Sequence, residues 1–409
     1  ETPQKPRRKH RPRATVKVKR SRVMSLSRRL IPYSAELWAR LGPIWRDISS
    51  ASSEISVFLS PDWTEVWLQH FGDTVRPSGL VWTIGDGTPV GCALYSQQTA
   101  KLGPFNVTRL FVNACGDHLT GMEYNEIPAL PGYRDAVLSD FVAYVLESGA
   151  DELALTGFKS EIAATICEKW PSRSCEGYVS ESPFVALNRL REEKRHYLES
   201  LSANTRSNVR RTLRAYTNHY GEPTLRRAAD SNEAISWFEQ MVKLHDARWK
   251  DKGKPGAFSG AHVNSFYKNL IRSSVENADG MTRMRLDLLR LQFGELATGF
   301  AFNLVYRGRV NFYQSGLAYQ PHDKKLRPGL ALHTLSIEHY LTEGTTLEYD
   351  FLGGEPESIQ YKRSLSTDVR QLAWFELPLP TAKNAFVRWV RHSRRKLRSL
   401  TRRSESKDS

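Results

Sequence analysis

Apolar positions along this chain alternate between two spacings, and the change of spacing marks its elements. Trp63, Val66, Trp67 and Phe71 recur three to four residues apart, which predicts a helix, and Ser60-Pro61-Asp62 ahead of them supplies its cap and first-turn proline. Two short β-like runs follow, Leu80–Ile84 and Val90–Tyr95, joined through Gly85-Asp86-Gly87 as a hairpin. Arg109–Asn113 predicts another strand. Asp135–Glu147 predicts a helix with Ala136, Phe141, Val142 and Val145 recurring at helical spacing. Leu153–Thr156 then reads as a strand and Glu161–Lys169 as a helix.

The second half replays the theme. Residues 192–218 read as one polar helix, and 231–249 as a clearer amphipathic one with Ile235, Phe238, Val242 and Trp249. Strands are predicted at Arg285–Gln292, Ala297–Tyr306 and Val310–Gly316, with turns at Gly294 and Arg307-Gly308-Arg309. A helix over Leu330–Leu341 and a strand over Leu347–Phe351 follow. Val90-Gly91-Cys92-Ala93-Leu94 and Thr298-Gly299-Phe300-Ala301-Phe302 both open the second strand of a hairpin, about half a chain apart, which suggests duplication. The expected fold is a two-lobed α/β protein. Its boundaries are a basic leader over 1–30, lobes over 31–188 and 189–382, and a basic amphipathic tail over 383–409.

Composition narrows the class. At 409 residues, 40% hydrophobic and 11% aromatic, the chain has material for two cores of roughly 150–200 residues each. The longest apolar run, Phe141–Leu146, falls far short of the ~18 residues a membrane span needs. Cys92, Cys115, Cys167 and Cys175 show no CxxC or Cys/His ligand spacing, so no metal site or disulfide framework is indicated and a cytoplasmic setting fits. Cys115 beside His118 lacks the surroundings of a cysteine nucleophile. The net charge of +15 is concentrated in the tails. Twelve Lys/Arg lie in 1–30 and ten in 383–409, leaving 37 basic and 41 acidic residues between them. Such tails can hold RNA or an anionic membrane face, and Phe386, Trp389, Val390, Leu397 and Leu400 form an apolar stripe among the arginines. Met24 is a candidate start beyond most of the leader.

Four segments could carry chemistry. After the strand ending near Gly316, a loop holds Lys324, Lys325, Arg327 and Gly329 just before a helix. Free N–H groups, the helix dipole and three cations would favour an anion there. Tyr349-Asp350-Phe351-Leu352-Gly353-Gly354-Glu355, followed by Tyr361-Lys362, places carboxylates where a strand runs into a glycine loop. Asp350 or Glu355 could serve there as a base, and Tyr361 or Lys362 could stabilise developing negative charge. His245 and Arg248 share a helix face beside Trp249. Glu123, Tyr124 and Asn125 could bind an acceptor.

Together these segments resemble the FemAB-like, CelD-type (cellulose-biosynthesis acetyltransferase-like) branch of the GNAT acyltransferase superfamily. The likeness runs from about Trp38 to Phe375. It rests on Phe58-Leu59-Ser60-Pro61-Asp62-Trp63, Glu123-Tyr124-Asn125, Leu244-His245-x-x-Arg248-Trp249, and Arg327-Pro328-Gly329 through Gly344 and Asp350–Glu355 to Tyr361-Lys362. It implies tandem GNAT-like lobes, each a mixed, mainly antiparallel sheet flanked by helices. It also implies an acyl-CoA or acyl-carrier thioester as co-substrate, with no permanently bound cofactor, and an amine-bearing acceptor of polysaccharide or cell-envelope metabolism. The donor's pyrophosphate would rest on 318–329, where Pro328 departs from the usual glycine-rich stretch. His245 and Asp350 become base and orienting group, with Glu355 a rival base, and Tyr361 and Lys362 the donor-side pair. Two other readings stand beside this one: an aminoacyl-tRNA-dependent ligase, and a non-catalytic RNA- or membrane-binding scaffold.

Overall fold

In the computed structural model, secondary-structure elements follow an order that the chain runs through twice. The structure describes residues 26–386, save for 53, 103–104, 118, 172–174, 252, 254–255, 259, 275–278, 320–322, 324, 355, 382 and 385. The first run is β1 (Ser27–Ile31), α1 (Leu37–Ser50), α2 (Pro61–Val75), β2 (Ser78–Thr83), β3 (Pro89–Leu102), β4 (Phe105–Val112), α3 (Arg134–Glu147), β5 (Glu152–Lys159), α4 (Ser160–Lys169) and β6 (Glu176–Ala186). Three linking helices follow: α5 (Leu187–Glu192), α6 (Tyr197–Ser200) and α7 (Ala203–Tyr220). The second run is β7 (Pro223–Arg227), α8 (Ser231–Asp251), α9 (Ala261–Ser274), β8 (Arg285–Phe293), β9 (Leu296–Tyr306), β10 (Arg309–Leu317), α10 (Pro328–Glu343), β11 (Glu348–Asp350), α11 (Pro356–Ser364) and β12 (Asp368–Pro378).

All twelve strands join one sheet in the order β1-β2-β3-β4-β5-β12-β6-β11-β10-β9-β8-β7. The two runs exchange their last strands: β6 pairs with β11 and β12 pairs with β5, and the two meet as an antiparallel seam at the centre. Pairing is otherwise antiparallel except at β4–β5 and β10–β11, the same place in each run. The duplication suggested by Val90–Leu94 and Thr298–Phe302 lands on corresponding strands, β3 and β9. Each carries a register shift one residue before its glycine, Gly91 or Gly299. A second echo is an Arg–Glu pair at the base of each parallel pairing, Arg109 opposite Glu152 and Arg309 opposite Glu348.

Both runs share the core on one sheet face. There α1, α2, α8 and α9 pack their apolar sides together, with Trp63 against Phe266 at 5.3 Å and Phe71 against Phe266 at 5.3 Å. Each such pair contributes about 0.5–1.5 kcal/mol beyond the area it buries. Exposed ion pairs, at roughly 0–1 kcal/mol, are the weaker glue. The opposite face carries α3 and α4 over the first run, and α5, α7 and α10 over the second.

Three expectations change. The helix expected over 192–218 is three helices, because the chain turns at Lys194–His196 and restarts at Ser202, whose hydroxyl caps α7 by accepting from the Thr205 N–H. Ser27–Leu30, inside the stretch expected as leader, form edge strand β1, where Arg28 donates to Asp140. Past residue 382, Lys383 pairs with Asp151, Asn384 donates to Asp151 O, and Phe386 lies 5.3 Å from Phe105. The rest of the expected tails lies outside the described residues. No helix among the described residues is long and apolar enough to cross a membrane.

Candidate active site

The parallel pairing of β10 with β11 lasts three residues, Arg309–Asn311 against Glu348–Asp350. There β11 ends, while β10 runs on to Leu317 with a bulge between Phe312 and Gln314. Beyond Asn311 this edge of β10 has no strand partner among the described residues, so a gap opens between it and the 351–354 loop. The N-terminus of α10 lies past the end of β10, with Pro328 in its first turn and no acid there.

Asp350, the last residue of β11, is buried, accepts three hydrogen bonds and faces one guanidinium. Tyr124 Oη donates to Oδ2 (2.5 Å), Ser182 Oγ and Leu352 N–H donate to Oδ1 (3.0 and 2.7 Å), and Arg370 Nη1 stands 3.5 Å from Oδ2. Burial raises its pKa, and these donors oppose the rise. Two of the donors come from the exchanged strands, Ser182 from β6 and Arg370 from β12.

Next to Tyr124, Glu123 reaches the loop after Asp350: its Oε2 accepts the Gly353 N–H at 2.6 Å. A Cβ on Gly353 would sit 3.1 Å from Glu123 Oε1, so glycine makes the approach possible. Glu123 is only partly exposed, and burial pushes its carboxyl up to about 7, against the Gly353 N–H and the Lys362 ammonium, which favour the charged form. Lys362, on α11, donates to the carbonyls of Leu352 (3.1 Å) and Gly353, and burial lowers its pKa. Lys362 thereby fixes the loop that presents Gly353 to Glu123. Two segments of sequence 230 residues apart are thus joined into one cluster.

On the first-run side, the 122–125 loop lies directly on β5. Gly157 has a positive φ of 61°, and a Cβ there would fall 2.2 Å from Met122 O and 3.1 Å from Glu123 Cα. Asn125 is fully buried. Its N–H donates to Gly157 O, and its side chain bonds Asn113, Val112 O and Thr156 O. Asn125 therefore supports the loop.

The remaining expected residues are placed as follows. His245 has backbone partners at both ring nitrogens, Ser315 O at Nδ1 (3.1 Å) and the Ala257 N–H at Nε2 (3.2 Å). These partners fit a neutral ring, and burial lowers its pKa. Both of these partners are backbone groups, and neither is Asp350. Arg248 lies over the Tyr319 ring at 4.3 Å, where the 318–327 loop leaves β10. In that loop Lys325 O accepts from Thr212 on α7, and Arg327 is the residue before α10. A Cβ on Gly329 would stand 3.3 Å from the Tyr361 hydroxyl, so Tyr361 faces the start of α10, and burial raises its pKa. Lys324 and Glu355 lie outside the described residues. Sequence reasoning missed Ser182, Arg370 and the Arg309–Glu348 pair. The repeat of Arg109/Glu152 was the signal that could have found the last.

Residues 203–363 match the family described as acetyltransferase (GNAT) domain. No curated protein matches the chain. Among solved structures the chain is similar to a conserved protein of unknown function from Bacteroides thetaiotaomicron (TM-score 0.51, 11% identity, 85% of this chain and 99% of that one). It is likewise similar to the C-terminal domain of a protein described as a lysylphosphatidylglycerol synthetase from Agrobacterium fabrum (TM-score 0.50, 11% identity, 86% and 95%). A tandem GNAT protein from the clavulanic acid biosynthesis pathway superposes at a TM-score of 0.47, with 11% identity over 87% and 100% of the two chains. At this identity the likenesses at a TM-score of 0.50 and above speak for the fold alone, a mixed α/β sheet flanked by helices.

Proposed function

We propose that this chain, whose residues 203–363 match the acetyltransferase (GNAT) domain family, moves an acyl group from a thioester to an amine where its two runs meet. The observation that carries the proposal is Glu123, a partly buried carboxyl pushed up to about 7 and held by the Gly353 N–H beside the gap after β10–β11. A base with a pKa near the working pH takes a proton most effectively. In this reading the donor's acyl arm enters along the unpartnered edge of β10, and its anionic end rests at the start of α10 near Arg327 and Gly329. The acceptor nitrogen attacks the thioester carbonyl and gives its proton to Glu123. Backbone N–H groups on the open β10 edge hold the oxyanion. The C–S bond then breaks, and the thiolate takes the proton of the Tyr361 hydroxyl, which faces the start of α10 and is reprotonated from solvent. Asp350, Tyr124, Ser182, Arg370 and Lys362 hold the two loops in register. His245, with both nitrogens engaged by backbone, keeps α8 on β10.

This moves the base from His245, Asp350 or Glu355 to Glu123. The FemAB-like, CelD-type assignment and an acceptor from polysaccharide or cell-envelope metabolism are retained as part of the proposal. A macromolecular donor, whether an acyl carrier or a charged tRNA, is favoured by one observation: α7 carries Arg206, Arg210, Arg211 and Arg214 with no acid, and it bonds the 318–327 loop through Thr212. The test is release of free thiol from acyl-CoAs in the presence of a panel of amines, with a holo-carrier and charged tRNA as further donors. Amine-dependent acyl transfer that falls about 10²–10⁴-fold in Glu123→Gln is expected. No transfer from any donor, or full turnover by Glu123→Gln, refutes the proposal.

A further inference from the structure

The two central strands present a ladder of side chains on the face that holds Asp350. Their cross-strand pairs run Glu176 opposite Glu376, Tyr178 opposite Trp374, Ser180 opposite Leu372, and Ser182 opposite Arg370. The last pair belongs to the site already described. The first two line a cavity of about 400 Å³, together with Arg109, Phe111, Ala154 and Thr156. That volume is within the range of small-molecule sites.

Tyr178 and Trp374 lie nearly parallel, 9° apart with centroids at 5.4 Å, and Tyr178 is 59% exposed. A large aromatic kept open to solvent beside a cavity offers a π face to whatever enters. One step along the ladder, about 7 Å, two carboxylates stand directly opposite each other, an arrangement that repels unless a cation intervenes. Arg109 reaches Glu376 at 3.0 Å but is shared with Glu152 at 2.7 Å. Glu176, directly across from Glu376, adds a further negative charge at this end of the cavity. An exposed aromatic face and two facing carboxylates select the same guest, a positive charge.

The cavity also adjoins the proposed base. Thr156 lines it, and the neighbouring Gly157 lies under Glu123. The Glu123 charge is felt by the Tyr178 hydroxyl.

We propose that this cavity is the acceptor subsite, and that it takes a small acceptor bearing a second cationic group roughly 7–10 Å from the reacting nitrogen, as in a linear α,ω-diamine. The inference rests on the acyl-transfer reading for the placement of the reacting nitrogen, whereas binding can be measured without turnover. The second ammonium sits between Glu176 and the Tyr178–Trp374 pair, and the first, once neutral, faces Glu123. A neutral or anionic acceptor of the same length gains nothing from this end of the groove.

The experiment is calorimetric titration of the full chain with 1,6-diaminohexane, n-hexylamine and glucosamine, at low and moderate salt. Melting temperatures are recorded for each variant to confirm folding. Diaminohexane is expected to bind at least tenfold more tightly than hexylamine. That ratio should collapse toward one in Glu176→Gln and in Tyr178→Leu, and shrink with salt. Equal affinity for diamine and monoamine, a ratio unchanged in both variants, or tighter binding of glucosamine than of diaminohexane overturns the proposal. If acyl transfer to monoamines is found without any diamine preference, the subsite fails and the reaction stands. If the diamine binds with the expected pattern but no donor is used, the subsite stands and the acyl-transfer reading fails.

Discussion

A carboxyl near pH 7 is the most informative single group in this molecule. Burial is the largest influence on Glu123 and raises it to about 7; the Gly353 N–H and Lys362 offset only part of that. Turnover should therefore rise with pH as Glu123 loses its proton, with a midpoint near 7, and the rise should vanish in Glu123→Gln. The same shift has a thermodynamic sign. A carboxyl whose folded pKa exceeds its unfolded value of 4.5 favours folding while protonated, and that advantage is lost as pH climbs from about 4.5 to about 7. Glu123→Gln, which keeps an acceptor for the Gly353 N–H, should thus be as stable as the parent near pH 4. At pH 8 it should be more stable by about 1–3 kcal/mol. Denaturant titrations of both proteins at the two pH values measure this. Equal stability at both would show that the carboxyl is not held up by burial. On the donor side, Tyr361→Phe should slow thiol release most for poor leaving groups and leave donor affinity little changed. A fall in donor affinity alone would make Tyr361 a binding residue.

At the scale of elements, the junction depends on how closely the 122–125 loop lies on β5. Gly157→Ala puts a methyl 2.2 Å from Met122 O at a φ of 61°, so the loop must lift and carry Glu123 away from Gly353. The expected result is a loss of about 1–3 kcal/mol of stability together with a larger loss of turnover than strain alone would give. Stability loss with unchanged turnover per folded molecule would detach the loop from catalysis. The elements that read most clearly in the sequence were those with a regular apolar spacing or a compact apolar run bounded by turn residues, such as α2, the β2–β3 hairpin and α10. What the sequence did not show was β6 and β12. β6 reads Glu176-Gly-Tyr-Val-Ser-Glu-Ser, polar and without an obvious strand period, because one of its faces is the site itself and carries Tyr178, Ser180 and Ser182. The candidate segments Glu123–Asn125 and Asp350–Lys362 stood out by their carboxylates and glycines. Their meeting could not be read, since it needs Ser182 and Arg370 delivered by exchanged strands. His245 misled for a related reason. Its residue type suggests a base, whereas its role follows from two backbone partners distant in sequence.

For the molecule as a whole, strand exchange links the stability of the two runs. β5 owes its partner on the central side to β12, the last strand of the second run, and β11 owes its own to β6, encoded before residue 187. The core on the α1, α2, α8, α9 face likewise draws residues from both runs into one cluster. A split between Ala186 and Leu187 would leave the first fragment with β6 unpaired on both edges and β5 without β12. The second fragment would lose the strand that flanks β11 and, with it, the Ser182 hydroxyl on Asp350. Exposed sheet edges and a halved apolar core are each destabilising. Neither fragment should unfold cooperatively alone, while the two expressed together should assemble and recover the parental melting profile. The intact chain should melt in a single transition by both far-ultraviolet circular dichroism and tryptophan fluorescence. A fragment that melts cooperatively alone, or two resolved transitions in the intact chain, would show that the runs fold independently and that the exchange is a late docking step.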